Sequence, residues 1–443
     1  MRSFRFSLYL SPFFLFSLSC GPSGGSSPLP LFGAIFQNPN TEYIYTEPAC
    51  VYKNDFFGYK NTDPMQVLSD PSGNIYVVGE TFDNLGGKNP TNDRMPFVMK
   101  FASSGSCREW ITMLMDSPGG QLYGGAGIDS DGNTYITGLA NGNVGGETCA
   151  VYCRFLTKVD SNGNFIWTKF HNYNALNSLY VDSSGNSYLV GITSNSINGQ
   201  SPTGTNDAFI VKYDKDGNIA STILLGASGK LTSGSSVTTD TNGNIYLSGV
   251  TFGSLGGQPI PNGGNGGVFI AKYDPSFSFQ WSRNYPMASS SLSFLTSTTD
   301  PTGNIYLGGN RSSPGAIDGI SVYASNNPFV AKFDTSGTKQ WTKAFGYTDT
   351  STQAVGIAFA TDRIYIFGNA SGNTAPIQTT GITDIFFNSY DSSGNSLGLS
   401  LLGYPNKYVF ARSLYFSGSG TLHYSFGVQD PKSLNIQGKI DLL

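Results

Sequence analysis

Asp70-Pro-Ser-Gly-Asn-Ile-Tyr-Val-Val-Gly79 is the stretch on which the fold turns. Its form, D-x-x-G-N-x-Y-x-x-G, returns at Asp129 to Gly138, Asp182 to Gly191, Asp240 to Gly249 and Asp300 to Gly309. Two worn copies follow, Thr361 to Gly368 and Ser419 to Gly427. The closing glycines stand 59, 53, 58, 60, 59 and 59 residues apart. Self-similarity at a fixed period is the mark of a repeat architecture. The Gly-Asn pair reads as a tight hairpin turn, because Gly and Asn accept positive φ cheaply. The Ile-Tyr-Val-Val run after it, rich in β-branched and aromatic residues, reads as a strand.

A second signature follows each copy of the first: F-[VI]-x-K-[YF]-D-x-x-G-x-x-x-W. It runs from Phe97 to Trp110, Phe155 to Trp167, Phe269 to Trp281 and Phe329 to Trp341. Phe209 to Thr222 and Phe386 to Leu399 keep the pattern without the Trp. The last copy, around Lys439, is cut short by the end of the chain. Each unit therefore holds four strands. Strand A leads into the Asp-x-x-Gly-Asn turn, B is the Ile-Tyr-Val-Val run, C is Phe-Val-x-Lys-Tyr, and D carries the Trp. The expectation is an all-β, seven-bladed β-propeller with four strands per blade. The seventh unit lacks a strand D. Cys50 to Tyr59 resembles Trp341 to Tyr347 in its Phe-Gly-Tyr ending, so this N-terminal strand is expected to complete the last blade and close the ring. Closure protects strand edges that would otherwise invite aggregation.

Composition agrees with an all-β reading. Of 443 residues 56 are Gly, aromatics make 14% and charged residues 12%. Disordered chains carry more charge and fewer aromatics. The net charge of −4, with no Lys/Arg cluster beyond the N-terminus, disfavours nucleic acid and anionic membrane surfaces.

The N-terminus reads as an export signal. Arg2 and Arg5 precede a short apolar run, Leu8 to Leu18, interrupted by Pro12 and too short to span a bilayer. Ser17-Leu-Ser-Cys20 resembles a lipobox in which Cys20 is lipidated, with Ser17 where the usual pattern has Leu. The expected division is a signal peptide over 1–19, a lipidated Cys and flexible tether over 20–41, and the propeller over 42–443. Export permits disulfides. Cys149 and Cys153, four apart in one loop, form the expected pair. Cys50 and Cys107 remain, and four cysteines allow three pairings.

The two signatures resemble the SBBP family of β-propeller repeats over roughly residues 50 to 443. That resemblance implies fold and a surface or periplasmic location. It implies no common activity.

In such blades the A–B and C–D turns lie on one face of the disc, the B–C and D–A connections on the other. Here the turns are short and alike, whereas the B–C loops are long and read as different from one another. They run from Glu80 to Pro96, Leu139 to Arg154, Ile192 to Ala208, Val250 to Val268, Asn310 to Pro328 and Asn369 to Ile385. A fixed turn face beside a varied loop face suits a scaffold with a binding surface, although drift in unconstrained loops looks the same. The loops are rich in Asn, Gly, Ser and Thr, which suit a neutral glycan or a protein edge. A short polar residue stands before strand C at Asp93, Asp207, Asn265, Asn327 and Asp384. These are the candidate ligand-binding positions, with turn capping as the other role open to them.

Other chemistry is disfavoured. Asp129-Ser-Asp131-Gly-Asn133 and Asp214-Lys-Asp216-Gly-Asn218 lack the spacing of an EF-hand and fall in register with plain turns. Lys100, Lys158, Lys212, Lys272 and Lys332, with Trp110, Trp167, Trp281 and Trp341, recur blade by blade and read as architecture. Ala331 to Trp341 resembles the tryptophan-docking motif of quinoprotein propellers, but the adjacent cysteines of those enzymes are missing, and no cofactor or metal is expected. His171 and His423 are the only histidines, and neither adjoins a nucleophile motif. The sequence points to an exported, lipid-anchored monomer that binds protein or glycan without catalysis. Its alternatives are a periplasmic scaffold for assembling outer-membrane proteins and a carboxylate-dependent, glycan-active enzyme.

Overall fold

The structure, a computed structural model, describes residues 61–82, 85, 94–103, 108–116, 119–150, 152–173, 175–259, 266–285, 292–312, 315–322, 326–346, 350–372, 378–416, 422–429 and 436–442. Almost every described element is a strand. The first blade is Asn61–Ser69, Ile75–Thr81, Met95–Phe101 and Arg108–Met113, hydrogen-bonded in that order. The second is Gln121–Ile128, Thr134–Ala140, Cys153–Val159 and Phe165–His171; the third Ala175–Val181, Ser187–Thr193, Asp207–Tyr213 and Ile219–Leu225. The fourth is Thr232–Thr239, Ile245–Thr251, Gly267–Tyr273 and Phe279–Tyr285; the fifth Leu292–Thr299, Ile305–Arg311, Asn327–Phe333 and Lys339–Ala344. The sixth is Ser351–Ala360, Arg363–Ser371, Asp384–Asp391 and Ser396–Leu402. Each is an antiparallel meander in the predicted A–B–C–D order, and the A strands of successive blades adjoin.

The described residues hold six four-stranded blades, against the seven expected. The last repeat contributes three strands, Tyr408–Phe416, Leu422–Gln429 and Ile436–Leu442. These three continue the sheet of the first blade through a short parallel pairing, Asn61↔Ile436 and Thr62↔Gln437. The strand expected to complete that blade, Cys50 to Tyr59, lies outside the described residues.

The core lies between blades. The Tyr of strand B (Tyr76, Tyr135, Tyr246, Tyr306) and the Phe of strand C (Phe97, Phe155, Phe209, Phe269, Phe329, Phe386) are, with Phe333 and Phe367, the largest fully buried side chains. A repeat that cannot bury its own apolar face must bury it on its neighbour. Tyr76 accordingly packs with Ile128 and Ile136 of the second blade, and Tyr306 with Ile357 and Ile364 of the sixth.

Strand A carries a bulge in most blades, which leaves backbone groups unpaired within its own sheet. The preceding blade satisfies several of them with the residue after the closing glycine of the first signature. Glu80 accepts from Leu122 N at 2.7 Å and Asn369 from Ala411 N at 2.6 Å. Asn310 both accepts from Ala354 N, at 2.7 Å, and donates to Ala354 O, at 2.8 Å. Between the last repeat and the first, Val67 N donates to Ser413 Oγ at 2.9 Å and Arg412 pairs with Asp63 at 2.8 Å.

Candidate functional site

The repeated turn is built by one carboxylate. Asp129 Oδ1 accepts from the backbone N–H of Asp131 and Asn133, at 3.0 and 2.9 Å, and Oδ2 accepts from the Asn133 amide at 2.8 Å. Gly132 has φ of +79°, the value that confines the position to glycine. Asp214 is bonded in the same way through Asp216 and Asn218. Both segments once compared with calcium loops are turns of this kind. Across the repeated turns the chain's own N–H groups, joined by the Thr302 hydroxyl at Asp300 and the Ser336 hydroxyl at Asp334, hold Asp160, Asp214, Asp300 and Asp334 below the usual carboxylate range against the opposing desolvation. No cluster of His, Cys, Asp and Glu fit for a metal occurs among the described residues.

The repeated Lys and Trp join neighbouring blades. Lys100 lies 5.6 Å from the Tyr76 ring centroid, and Lys158, Lys212, Lys272 and Lys332 sit likewise over the Tyr of their own blade. The Trp110 indole N–H donates to Ser161 O at 3.0 Å, on the C–D turn of the next blade, and the Lys100 ammonium reaches the same carbonyl at 3.3 Å. Trp167 with Lys158 grips Lys215 O, and Trp341 with Lys332 grips Ser392 O. Each Tyr hydroxyl donates to the turn Asp, as Tyr246 does to Asp240 at 2.9 Å. Burial, then that Asp, raises these phenols well above their ordinary pKa, so they remain donors. Strand register corrects the sequence alignment by one residue. The positions opposite the strand C lysine hold Ser221 in the third blade, not Thr222, and in the sixth Gly398 faces Ser389.

Of the five candidate ligand positions, Asp207, Asn327 and Asp384 are described, and Asp93 and Asn265 lie outside the described residues. The three are first residues of strand C, wholly buried. Asp207 accepts from Thr203 N and Gly204 N, both at 2.8 Å, and Asp384 from Thr380 N at 2.7 Å and Gly381 N at 2.8 Å. Asn327 donates to Arg311 O at 3.3 Å. Each abuts the glycine that follows strand D: Gly226, Gly346 or Gly403, where a Cβ would overlap the Asp or Asn side chain. These groups face the chain itself and pin the base of the B–C loop to the end of strand D.

The loops are less varied than their sequences suggest. Val144-Gly-Gly-Glu147, Ile197-Asn-Gly-Gln200, Leu255-Gly-Gly-Gln258 and Ile317-Asp-Gly-Ile320 form the same two-residue turn, with both central residues at positive φ. The residue before each turn is buried: Val144, Ile197, Leu255 and Ile317. These turns fold onto strand D, the outermost strand. The Gln200 side chain donates to Thr222 O at 2.7 Å and accepts from Leu224 N at 3.2 Å, standing in for a missing fifth strand. Ser282 donates to Leu255 O at 2.8 Å, and Asp318 pairs with Lys339 and accepts from Thr342. Covering an open edge in this way removes a template for aggregation. A fragment as short as V-G-G-E or I-N-G-Q does not stand out within Gly-rich loops, so the sequence reading passed over it. The stretch leading into strand C repeats too in the third and sixth blades, where Thr205 N and Ile382 N donate to Lys230 O and Lys407 O beside the like bonds to Asp207 and Asp384. The second blade's loop carries the expected disulfide, Cys149–Cys153. Cys20, Cys50 and Cys107 lie outside the described residues.

His423 is buried in the sheet, and His171 is half-buried with both ring nitrogens enclosed. His171 ends strand D of the second blade and stacks on Tyr173 with ring centroids 4.5 Å apart. Neither of its ring nitrogens has a hydrogen-bond partner, nor does His423 Nδ1. Burial pushes both imidazoles down to about 4, with Arg154 adding to the effect at His171.

Residues 222–256 match the family described as SBBP, beta-propeller repeat. No curated protein matches the chain. Among solved structures, the β-propeller domain of the Trilobed protease from Pyrococcus furiosus aligns at 9% identity and a TM-score of 0.48, covering 86% of this chain and 95% of that one. The Dos1 propeller aligns at 12% identity and 0.45, covering 85% and 83%. A polysaccharide lyase, the PL25 ulvan lyase bound to -[GlcA(1-4)Rha3S]-, aligns at 11% and 0.46, covering 88% and 94%.

Proposed function

We propose that this chain, a member of the SBBP β-propeller repeat family, is an exported, lipid-anchored binding module that engages a protein or glycan through its B–C loop face. One observation carries the reading. In the third and fifth blades the base and outer turn of the loop are both held by repeated devices, the buried Asp207 or Asn327 and the two-residue turn, while the loop sequences differ from blade to blade. Loops pinned at both ends lose little entropy on binding, so their exposed middles form a pre-organised surface. Their Asn, Ser, Thr and Gly content suits a neutral polar ligand. The full-length protein in detergent is expected to bind saturably to a matrix protein or glycan. No saturable binding across panels of both would count against it.

The same reading gives the protein seven blades. The strand at Cys50 to Tyr59 completes the last one against Ile436–Leu442, and the ring closes there. The polar bonds from Arg412 and Ser413 to the first blade support this placement. Deleting 436–443 is then expected to abolish cooperative unfolding of the whole domain, and retention of the full melting temperature would exclude the closure. In this reading Cys20 carries the lipid that anchors the protein to the outer membrane. Cys20→Ala is expected to release the protein from membranes.

A further inference from the structure

Strand D is the outer edge of each described blade, and an open edge is a template for another strand unless something blunts it. Two devices blunt it here. The first is charge: Arg108, Lys169, Arg283 and Lys339 stand in strand D of the first, second, fourth and fifth blades. The second is the two-residue turn of the B–C loop in the second to fifth blades. The hydroxyls of Thr222, Ser282 and Thr342, which share one register position opposite strand C, each bond that turn. The third blade's strand D, Ile-Ala-Ser-Thr-Ile-Leu-Leu, is uncharged, and there Gln200 takes up both Thr222 O and Leu224 N.

The sixth blade shows neither device among the described residues. Ser396–Leu402 reads Ser-Leu-Gly-Leu-Ser-Leu-Leu, without a charge. Leu399 holds the position of those hydroxyls. Counted from the closing glycine as in the second, third and fourth blades, the turn would fall on Thr374 to Ile377, which reads Thr-Ala-Pro-Ile. Its proline stands at the second central residue, where the other turns have positive φ, a value the proline ring forbids. The described ends of this loop close in another way, with Thr379 N donating to Gly372 O at 3.2 Å. Four of the seven strand residues are exposed, against two at most in strand D of any other described blade. By the register of Thr222 and Leu224, the outward backbone groups belong to Leu399 and Leu401. No described residue bonds to them from outside the blade.

We infer that this edge is a homodimer interface, in which Ser396–Leu402 pairs antiparallel with the same strand of a second copy about a two-fold axis. With Leu399 opposite its own counterpart, Leu397 falls opposite Leu401 and Gly398 opposite Ser400. The outward-pointing residues then meet as hydrogen-bonded pairs that exchange N–H and C=O, and Leu lies against Leu along one face. No like charges meet, and two four-stranded sheets run on as one. The strand thus complements itself, which an isologous interface requires and a foreign strand would not. One short strand pair makes a small interface, so association is expected at roughly micromolar concentration. This departs from the monomer expected of the sequence. It lies at the rim and does not rest on the ligand reading of the B–C loop face.

Sedimentation equilibrium of the full-length protein in density-matched detergent tests the interface. A monomer–dimer equilibrium is expected, with the Leu399 and Leu401 amides gaining protection from hydrogen exchange as the dimer forms. Ser400→Lys supplies the cation that Lys169, Arg283 and Lys343 carry at the same register position, so the Tm of the monomer should hold. It should weaken dimerisation by at least about tenfold, as should Ser400→Glu, because like charges then lie on the diagonal across the axis. An equimolar mixture of the two variants should regain the dimer. That recovery separates the edge from chance sharing of a micelle and from lost folding. A monomer at every concentration would overturn the interface, whether the two amides exchange freely, are already protected by the chain itself, or gain protection only from a peptide of another protein. A dimer indifferent to Ser400→Lys, or a mixture that stays monomeric, would overturn it as well.

Discussion

The fifth and sixth blades are neighbours built on one pattern, and they differ where their interfaces are made. The fifth blade has Lys332 over Tyr306 and Trp341 bonded to Ser392 of the sixth. The sixth has Ser389 and Gly398 in those places. It faces the last repeat with aromatic packing instead: Phe367 and Phe387 against Tyr424, with centroids 5.7 and 4.7 Å apart. Edge and tilted ring contacts of this sort contribute about 0.5–1.5 kcal/mol each beyond their buried area. The difference teaches that a blade interface needs apolar area and a few directional contacts, not one particular set.

What the blades share should matter more than what separates them. Asp207→Ala in the third blade and Asp384→Ala in the sixth each strand two backbone N–H groups, and each is expected to cost about 3 kcal/mol in denaturant unfolding. Loop cleavage by protease should rise in step. Unequal losses would mean that the two loop bases are not the same device. Next in size, Trp341→Ala removes the fifth blade's latch, at about 2–3 kcal/mol, because the indole is only partly buried. A loss under about 0.5 kcal/mol would show the latch to be ornamental in both blades.

The third test extends the comparison to the last repeat. His423 occupies the position filled by Ile75, Ile245, Ile305 and Ile364 elsewhere. Its folded pKa of about 4 lies below the ordinary 6.5, so the unfolded chain binds more protons between those values. Stability is therefore full above about pH 6.5 and falls as pH drops toward 4. His423→Ile should remove its share of that slope and gain about 2 kcal/mol at pH 5 relative to its effect at pH 7, read from denaturation at both. An identical difference at the two pH values would refute buried neutral His423. The smallest effect is expected from Ser389→Lys, which returns a cation to the Tyr365 ring at about 0.5 kcal/mol. A clear destabilisation there would show that the sixth blade has diverged beyond repair of its latch.

The blade pattern was legible because its signals are local. An Asp capping N–H groups two and four residues on, a Gly at positive φ and a period-two strand are decided within ten residues. The disulfide was legible for the same reason. The roles of Asp207 and Asp384 stayed open between capping and ligand binding, since the glycine each one abuts stands 19 residues further along. The Gly-Gly turns were passed over because their meaning lies in the strand D edge they cover. Asn388 is a modest substitution within its strand, and only the packed structure shows its carbonyl oxygen buried and unpaired.

The sequence by itself thus determined the four-stranded unit, its order and its turns, because hydrogen bonds between near residues set them. Tertiary structure alone decided which side chains lock one blade to the next, which loop segments are free to vary, and which strand edge is left exposed. Those depend on groups that meet only when separate repeats stack, and a repeat cannot encode its neighbour's departures from the pattern.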